Sequence, residues 1–381
     1  MRRRRRQQQQ RGASDLLPSV FGKALRGTFA LHVMSGRTDD PTKTGSGAIL
    51  YPWHFSEAMA HDSYVGSTKY TFTTYAPIAF RCLRQMLGYS DSSYLASLNK
   101  LEGGTLGAGK SGEYFFKTGD GRFILKTLPR REAEVLRSVL PSYHSHLFAS
   151  RNTLVGRAER VASAASSSEA AGEKEGGGYP DGVMRVGLKT FLARYLGLYA
   201  VELMGKKRKM YLVCMENALA RTQGLSPTCI YDLKGSKQGR FVDTKKEKKK
   251  EMVLKDVNWE RSGLRLRLPD FIYRQVAESL RRDVELLQSM NICDYSLLIG
   301  MHKQQGASHG YFWCSIIDTL QLFNMKKRSE RFVKKSVLGQ KDVSCEDTMT
   351  YAKRFLDFAL LKVFQPVDVH ATYDIGLQGF E

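Results

Sequence analysis

Apolar and polar residues along the 381-residue chain follow a helical period in some blocks and alternate, as in strands, in others. Helical spacing occurs at residues 78–88, 132–140 and 276–290. Strand-like patterns occur at residues 112–126, 191–201, 210–215, 296–301 and 311–317. The sequence Thr118-Gly-Asp-Gly interrupts the first strand pattern as a hairpin turn does, and the last two patterns predict a pair of buried antiparallel strands.

Three stretches of the chain break this pattern. Residues 1–65 begin with a basic Arg/Gln head and continue with Gly, Ser, Thr and Asp, which predicts a poorly ordered segment. Residues 156–188 are rich in Ala, Ser, Glu and Gly, and we expect a flexible insertion in a surface loop, which costs little closure entropy. The Lys-rich residues 243–251 predict a further loop.

The chain carries 59 Lys and Arg against 38 Asp and Glu, a net charge of +21. Residues 1–11 contribute +6 of this excess, residues 243–251 contribute +2 and residues 324–341 contribute +6. Such clusters indicate a polyanionic partner (nucleic acid, an acidic membrane surface or a phosphorylated substrate), with a merely basic surface as the simpler alternative. Nucleic acid is disfavoured, because the first two segments lack aromatic residues for stacking on bases and Phe332 stands nearly alone in the third.

The six cysteines form no CxxC pair, which predicts unpaired thiols in a reducing compartment rather than a disulfide framework or a zinc site. The sequence has no run of roughly eighteen apolar residues that would span a membrane. Its first ten residues lack the apolar centre of a secretory signal. We therefore expect a cytoplasmic protein that can lie on a membrane surface.

Residues 104–111, Gly-Thr-Leu-Gly-Ala-Gly-Lys-Ser, match the P-loop pattern of nucleoside triphosphatases. A P-loop needs a helix directly after it, so that the helix N-terminus faces the phosphates, whereas residues 112–126 predict a hairpin. A glycine-rich turn between strands, followed by a lysine on the next strand, is typical of kinases instead. Lys126 would then neutralise phosphate charge, and Glu132 or Glu134 on the following helix would orient it through an ion pair.

Two aspartates in the C-terminal half supply the other parts of a phosphoryl-transfer site. Asp294 follows the amphipathic helix, and Asp318 ends the second apolar strand. Helix, Asp, two strands and Asp is the order of parts in a kinase C-lobe, although each aspartate alone could be a turn or capping residue. A protein kinase is disfavoured, because no HRD sequence precedes Asp294 and Thr-Leu rather than Phe-Gly follows Asp318.

A series of segments resembles the motifs of the phosphatidylinositol phosphate kinases, in that family's order. They are Gly109-Lys-Ser-Gly112, Arg122-Phe-Ile-Leu-Lys126, Val213-Cys-Met-Glu-Asn217, Tyr231-Asp-Leu-Lys-Gly-Ser236, Asn291-Ile-Cys-Asp-Tyr-Ser-Leu-Leu298, Ser315-Ile-Ile-Asp318 and Tyr351-Ala-Lys-Arg-Phe355. The similarity runs from about Thr71 to Phe364, and it departs from the family at Cys293, where Met is usual.

The resemblance implies an α+β, two-lobed kinase-like fold, with antiparallel sheets and helices packed on them. Residues 66–215 would form the nucleotide-binding N-lobe. Residues 216–381 would form the catalytic and metal-binding C-lobe, with an activation loop at about 319–350.

The family's roles carry over to this chain by position. Asp294 would be the catalytic carboxylate beside the inositol hydroxyl, and Asp318 would hold Mg²⁺. Asp232 and Lys234 would lie near the phosphates, with Lys234 facing the transferred group. The residues that would bind ATP are Lys126, Gly107, Gly109, Lys110, Ser111, Gly112, Met215 and Asn217. The activation-loop residues that would contact an anionic membrane and the lipid are Lys326, Lys327, Arg328, Arg331, Lys334 and Lys335.

The resemblance implies an ATP- and Mg²⁺-dependent lipid kinase, peripheral on the inner face of the plasma membrane or on endomembranes. Short length favours phosphatidylinositol 4-phosphate as the substrate and the 4,5-bisphosphate as the product. The nucleotide-loop and hinge residues also resemble phosphatidylinositol 3-phosphate 5-kinases, which are usually far longer and carry a zinc-binding domain that this sequence cannot form. The other alternative is a non-catalytic phosphoinositide- or membrane-binding protein on the same fold, disfavoured by the intact Lys126, Asp294 and Asp318. A homodimer is compatible with the sequence, which leaves the oligomeric state open.

Overall fold

A computed structural model describes the protein at residues 50–65, 68–106, 113–165, 190–203, 209–220, 225–244, 252–303, 310–323 and 347–367. The chain divides into two compact units, the first made of residues 1–144 and 194–221 and the second of residues 145–193 and 222–381. Both units combine helices with sheets whose neighbouring strands are mostly antiparallel. This confirms the predicted α+β class of fold. The predicted domain boundaries remain predictions.

The first unit is built on a seven-stranded antiparallel sheet with strand order β1-β2-β6-β7-β5-β4-β3. In chain order its helices and strands are α1 (Pro52–Ser56), β1 (Ala58–Val65), β2 (Thr68–Tyr75), α2 (Pro77–Met86), α3 (Asp91–Leu98), β3 (Leu101–Leu106), β4 (Tyr114–Thr118), β5 (Phe123–Leu128), α4 (Arg130–Ala165, which continues into the second unit), β6 (Tyr195–Leu203) and β7 (Lys209–Glu216). One face of the sheet buries a core of aromatic and aliphatic side chains, among them Tyr70, Phe72, Phe116, Phe123 and Leu125.

The β4–β5 hairpin confirms the turn predicted at Thr118-Gly-Asp-Gly. Asp120 closes the turn by accepting hydrogen bonds from the Thr118 and Ser97 hydroxyls at 2.6 Å each and from Arg122 Nε at 2.8 Å. Burial raises the pKa of Asp120, but these hydrogen bonds outweigh burial and hold the pKa well below its usual range. Gly121 has φ +71°, a conformation that other residues rarely adopt.

A strand, and not a helix, follows the P-loop-like sequence. The strand β4 begins at Tyr114 and pairs with β3 on one side and β5 on the other. This confirms the predicted hairpin at the described residues 113–126, and a strand stands where a P-loop would need the N-terminus of a helix.

Two segments differ from the sequence prediction. Residues 52–65, placed in the poorly ordered N-terminal segment, form α1 and β1. β1 alternates poorly in polarity, and what fixes it is its backbone pairing with β2, from Ala58 opposite Tyr75 to Val65 opposite Thr68. Helix α4 extends to Ala165, so the first ten residues of the predicted insertion are helical, in keeping with their Ala, Arg and Glu content. Residues 1–49 and 166–189 lie outside the described residues.

The second unit contains a four-stranded sheet with strand order β12-β11-β8-β9 and a separate parallel pair, β10 with β13. In chain order its elements are β8 (Cys229–Leu233), β9 (Val253–Leu254), α5 (Asp256–Ser262), β10 (Leu266–Pro269), α6 (Asp270–Ser289), β11 (Ser296–Lys303), β12 (Gly310–Ile317), α7 (Thr348–Phe358), a π-helical segment (Ala359–Val363) and β13 (Phe364–Val367). The amphipathic helix predicted at residues 276–290 is α6, with Val276, Leu280, Val284 and Leu287 buried.

The chain before β6 is anchored within the second unit by one buried carboxylate. Asp283 on α6 accepts hydrogen bonds from His146 Nε2 at 2.6 Å, from the Thr190 hydroxyl at 2.7 Å and from the Phe191 backbone N–H at 2.5 Å. Residues 191–193 then run beside the end of β12, where Ile316 bonds to Phe191 and Ala193 through its main chain. This segment therefore completes the edge of the sheet next to Asp318.

Candidate active site

In the first unit, the predicted ATP ligand Lys126 lies on β5 and pairs with a carboxylate that the sequence analysis missed. Its Nζ lies 2.9 Å from Glu113 Oε2, and the two side chains are only 12% and 10% exposed. The amine also lies over the ring of Phe115, 5.6 Å from the ring centroid. Of the two glutamates predicted for this role, Glu134 pairs with Arg130 at 2.7 Å, and the role of Glu132 stays a prediction.

The predicted hinge residues lie at the end of β7. Met215 pairs through its main chain with Ile124 on β5 and Tyr195 on β6. Asn217 donates from its side-chain amide to the Gly121 carbonyl at 2.7 Å and accepts from the Leu219 N–H at 3.1 Å. Both polar ends of the Asn217 side chain therefore bind main chain of the same unit, which gives this residue a structural task beside its predicted cofactor role.

In the second unit, the two predicted aspartates are brought to the same edge of the sheet. β11 and β12 pair antiparallel, with Ser296 at the start of β11 opposite Ile317 at the end of β12. Asp294 lies two residues before β11 and Asp318 directly after β12, so both aspartates lie at this end of the strand pair. The residues around them also pair, since the Cys293 N–H donates to the Gln321 carbonyl at 2.9 Å. The local pattern of helix, Asp, two strands and Asp thus folds both carboxylates into one neighbourhood.

Both aspartates have left-handed backbone conformations. Asp294 has φ +66° and Asp318 has φ +60°, and Asn291 at the end of α6 has φ +58°. Asn and Asp tolerate this region better than other side chains, yet it is sparsely populated and often marks functional sites. Such a conformation supports the assignment of both aspartates to a site.

Residues of α7 pack against Tyr295, the residue directly after Asp294. Tyr295 is buried, and its ring lies edge-on against the rings of Tyr351 and Phe355, with centroids 4.8 and 4.9 Å away. The Tyr351 hydroxyl donates to the Tyr295 carbonyl, and burial raises the pKa of Tyr351 well above its usual value. The Tyr351–Phe355 segment therefore supports the loop that carries Asp294.

Lys234, directly after β8, forms the ion pair at the centre of this site. Its Nζ donates to Asp294 Oδ1 at 2.8 Å and to the Asp294 carbonyl at 2.6 Å. The Lys234 side chain is 15% exposed and the Asp294 side chain 35% exposed, so the lysine is held while the carboxylate keeps an open side. The structure thus brings two of the predicted catalytic residues into direct contact.

Asp232, the third predicted catalytic residue, is bound by Arg240, which the sequence analysis did not select. Arg240 donates to Asp232 Oδ1 at 2.9 Å and, from Nε, to Asp256 Oδ2 at 2.6 Å. Burial alone lowers the pKa of Arg240, but the two carboxylates outweigh it and raise that pKa. Arg240 and Asp256 could not be found from periodicity, because their contacts join segments that are distant along the chain.

Other predicted site residues lie outside the described residues. They are Gly107, Gly109, Lys110, Ser111, Gly112, Lys326, Lys327, Arg328, Arg331, Lys334 and Lys335. Their roles stay predictions. Within the part of the chain that the structure describes, no helix is long and apolar enough to cross a membrane.

A sheet with a lysine-bearing hairpin in one unit, and two aspartates beside paired strands in the other, are the parts of a kinase-like fold. Comparison with known proteins agrees. The family model described as Phosphatidylinositol-4-phosphate 5-Kinase matches residues 98–167, 183–311 and 304–360, which together exceed half of the chain. The chain therefore belongs to the phosphatidylinositol-4-phosphate 5-kinase family.

Several known proteins are about 30% identical to the chain over the aligned residues. A probable phosphatidylinositol phosphate kinase of Dictyostelium discoideum is 31% identical over 64% of this chain and 29% of the relative. Phosphatidylinositol 4-phosphate 5-kinase type-1 beta is 27% identical in Gallus gallus, over 78% of this chain and 59% of the relative. The Homo sapiens protein of the same name is 31% identical over 61% and 36%. The chain thus spans less than two thirds of the length of each of these relatives.

Proposed function

We propose that this protein is a lipid kinase that transfers the γ-phosphate of ATP to the inositol ring of phosphatidylinositol 4-phosphate, at the 5-position. Family membership supports the class of reaction, and relatives named phosphatidylinositol 4-phosphate 5-kinase support this substrate and position. The single observation that carries the proposal is the contact of Lys234 with Asp294, at the sheet edge where Asp318 also lies.

Asp294 would accept the proton of the attacking inositol hydroxyl. General bases of this kind act through a carboxylate within hydrogen-bond reach of the hydroxyl, and the open side of Asp294 allows such an approach. Lys234 fixes the orientation of Asp294 through two hydrogen bonds and would stabilise negative charge on the transferred phosphoryl group. Asp232, held by Arg240, would support the same region.

The site also fits Mg²⁺, in the manner usual for kinases. Among the described residues, no three His, Cys, Asp or Glu side chains cluster as a complete metal site. Mg²⁺ in kinases is commonly held by one or two carboxylates together with substrate phosphates and water, and Asp318 supplies such a carboxylate. The ion would neutralise charge that develops on the phosphates.

Membership of a kinase family implies that ATP is the phosphate donor. Lys126 would bind its phosphates, as a strand lysine does in kinases, and Glu113 would orient the lysine. The glycine-rich residues 107–112 would approach the phosphates through their backbone N–H groups. Met215 and Asn217 would lie near the nucleotide base.

An anionic membrane would be the second partner of the enzyme, which would work at the inner face of the plasma membrane or on endomembranes. Six basic residues between Lys326 and Lys335 would contribute about 1 kcal/mol each near an anionic leaflet. Replacing Lys334 and Lys335 by Glu should weaken sedimentation with vesicles that contain phosphatidylserine and lower turnover on them. Unchanged vesicle binding would remove the membrane role of this segment.

A homodimer remains a further proposal, which light scattering would test.

The proposed reaction is tested by incubating the purified chain with ATP, Mg²⁺ and vesicles that contain one of the three phosphatidylinositol monophosphates. We expect the 4-phosphate to give the 4,5-bisphosphate, identified by headgroup analysis. Asp294→Asn should abolish turnover, whereas Asp270→Asn, an exposed carboxylate paired with Arg274, should leave it unchanged. Product from the 3-phosphate alone would identify a phosphatidylinositol 3-phosphate 5-kinase instead, and full activity of Asp294→Asn would refute the site.

A further inference from the structure

The carboxylate of Asp256 is completely buried and accepts four hydrogen bonds. Its Oδ1 accepts the backbone N–H groups of Lys234, Gly235 and Ser236, at 2.8, 2.7 and 3.3 Å. Its Oδ2 accepts the Nε–H of Arg240 at 2.6 Å. A buried carboxylate is costly unless it is fully satisfied, and this one has a donor for nearly every lone pair. Three of these contacts bind the backbone of the loop that carries Lys234, and the fourth binds Arg240, the partner of Asp232.

The pairing of two strands brings Asp256 to this loop. β8 and β9 run parallel, with Ile230 opposite Val253 and Tyr231 opposite Leu254. Parallel strands end at the same edge, so the residues after Leu233 and those after Leu254 leave the sheet side by side. Asp256 therefore faces the backbone of residues 234–236, although it lies some twenty residues away in sequence.

The loop has the backbone shape that such a carboxylate needs. Gly235 has φ +70°, which turns the three successive N–H groups toward one point. Successive amides in this arrangement form a concavity that binds anions, and here the anion is the side chain of Asp256. A Cβ on Gly235 would lie 2.9 Å from the Arg354 carbonyl oxygen, so α7 closes the loop from another side.

We propose that Asp256 is a positioning residue for phosphoryl transfer. By accepting hydrogen bonds from the backbone N–H groups of residues 234–236, Asp256 fixes the backbone of Lys234. The Lys234 side chain then places its Nζ within hydrogen-bond distance of Asp294 Oδ1. Through Arg240 the same carboxylate also fixes Asp232, which makes Asp256 the common support of the three proposed catalytic residues. This inference rests on the proposed function, since the effect on turnover requires the site to be catalytic.

A double-mutant cycle tests the proposal in the full chain. In Asp256→Asn a neutral amide replaces the charge that binds both the backbone N–H groups of residues 234–236 and Arg240, so both supports weaken, and we expect kcat to fall about 100-fold, as for a small misplacement of a catalytic group. In a Lys234→Ala background the same change should cost only about tenfold, because the part that acts through Lys234 is already lost and only the support of Asp232 through Arg240 remains. Full additivity of the two changes would overturn the proposal.

Asp283→Asn is the matched control, since Asp283 is equally buried and accepts hydrogen bonds from three donors away from Lys234. Its effect on kcat should be additive with Lys234→Ala. Non-additivity of this control would show that any buried carboxylate couples to Lys234, and would remove the special role of Asp256.

A second readout does not require turnover. The rate at which acetic anhydride acetylates Lys234, measured by mass spectrometry against the exposed Lys353, should rise severalfold in Asp256→Asn and stay unchanged in Asp283→Asn. An unchanged rate in a folded Asp256→Asn protein would overturn the proposal. If the labelling changes as expected but the wild-type chain phosphorylates no phosphoinositide, the positioning stands and the proposed function fails.

The wild-type protein offers a further measurement if Asp256→Asn does not fold. Amide hydrogen exchange over residues 233–237 should be slow, although these residues lie in a loop after β8, because Asp256 accepts three of their N–H groups. Fast exchange of all three amides would contradict the proposed anchoring.

Discussion

The amine of Lys126 and the carboxylate of Glu113 lie 2.9 Å apart, and both side chains are almost fully shielded from solvent. Glu113 directly precedes β4, and Phe115 on β4 stands opposite Lys126 on β5, so the register of the hairpin sets this pair. The predicted ATP ligand is therefore oriented by its own hairpin.

Replacing Glu113 by Gln should lower kcat/KM for ATP about tenfold, because a charge-assisted hydrogen bond of roughly 1.5–3 kcal/mol is lost. Steady-state kinetics with ATP varied would measure this change. Glu102→Gln is the control, since that carboxylate pairs with Lys100 in an exposed position of the same unit. Equal kinetics for wild type and Glu113→Gln would show that Lys126 needs no orientation from Glu113.

Asp283→Ala should destabilise the second unit by about 3 kcal/mol, because it leaves the buried donors of Thr190 and Phe191 without their acceptor. Urea unfolding followed by tryptophan fluorescence would give the free energy of unfolding. The exposed Asp270→Ala should change this free energy by less than about 1 kcal/mol. A similar small change for Asp283→Ala would mean that the anchor at α6 contributes little.

Alanine substitutions at Gly235 and Gly239 separate two effects on stability: backbone strain at positive φ and the steric clash of a new Cβ. Both have positive φ, +70° and +66°, so alanine at either position should cost about 1–2 kcal/mol of stability. Only at Gly235 would the new Cβ also collide, at 2.9 Å from the Arg354 carbonyl oxygen. Thermal unfolding should therefore show a larger loss for Gly235→Ala than for Gly239→Ala, and the reverse order would contradict the packing of α7 on this loop.

The stability of the first unit should depend on the protonation of His144. Burial lowers the pKa of His144 from 6.5 to about 4, and its ring lies edge-on against Phe55 of α1. Between these two pKa values the unfolded chain binds a proton that the folded chain does not, so the free energy of unfolding falls as pH decreases from about 6.5 to about 4.

The measurement compares wild type with His144→Phe by urea unfolding at about pH 7 and about pH 5. The variant should lose less stability between the two pH values, since other titrating groups act equally on both proteins. Equal losses would show that His144 takes up its proton in the folded state as readily as in the unfolded chain.

Local patterns predicted the parts of the fold whose stabilising contacts are near in sequence. The helix α6, the β4–β5 hairpin and the pair β11–β12 follow from apolar periodicity and a glycine-containing turn. The strand β1 was missed, because it is fixed by backbone pairing with β2 rather than by an apolar face. Helix α4 proved longer than its apolar spacing indicated, since Ala-rich sequence suits both helices and loops.

In the candidate site, too, residues placed by local sequence pattern were predictable, whereas residues placed by strand pairing were not. The positions of Asp294 and Asp318 beside paired strands were predictable, since each lies at the end of a recognisable element. The structure adds the contact of Lys234 with Asp294, and the catalytic roles of these residues stay predictions. Glu113 and Asp256 were not predictable, because their partners are found only through strand pairing. Glutamates one turn into a helix were the simpler choice for Lys126, and for Glu134 the neighbouring Arg130 is the observed partner.

The meeting of His146 and Thr190 at the carboxylate of Asp283 has a consequence for how this protein can evolve. Both ends of the intervening stretch are tied to one point, so its length is largely independent of the rest of the fold. Lengthening such a stretch costs only a slowly growing closure entropy, about 0.6 kcal/mol for each doubling. Insertions between His146 and Thr190 are therefore expected to leave the sheet edge beside Asp318 unchanged.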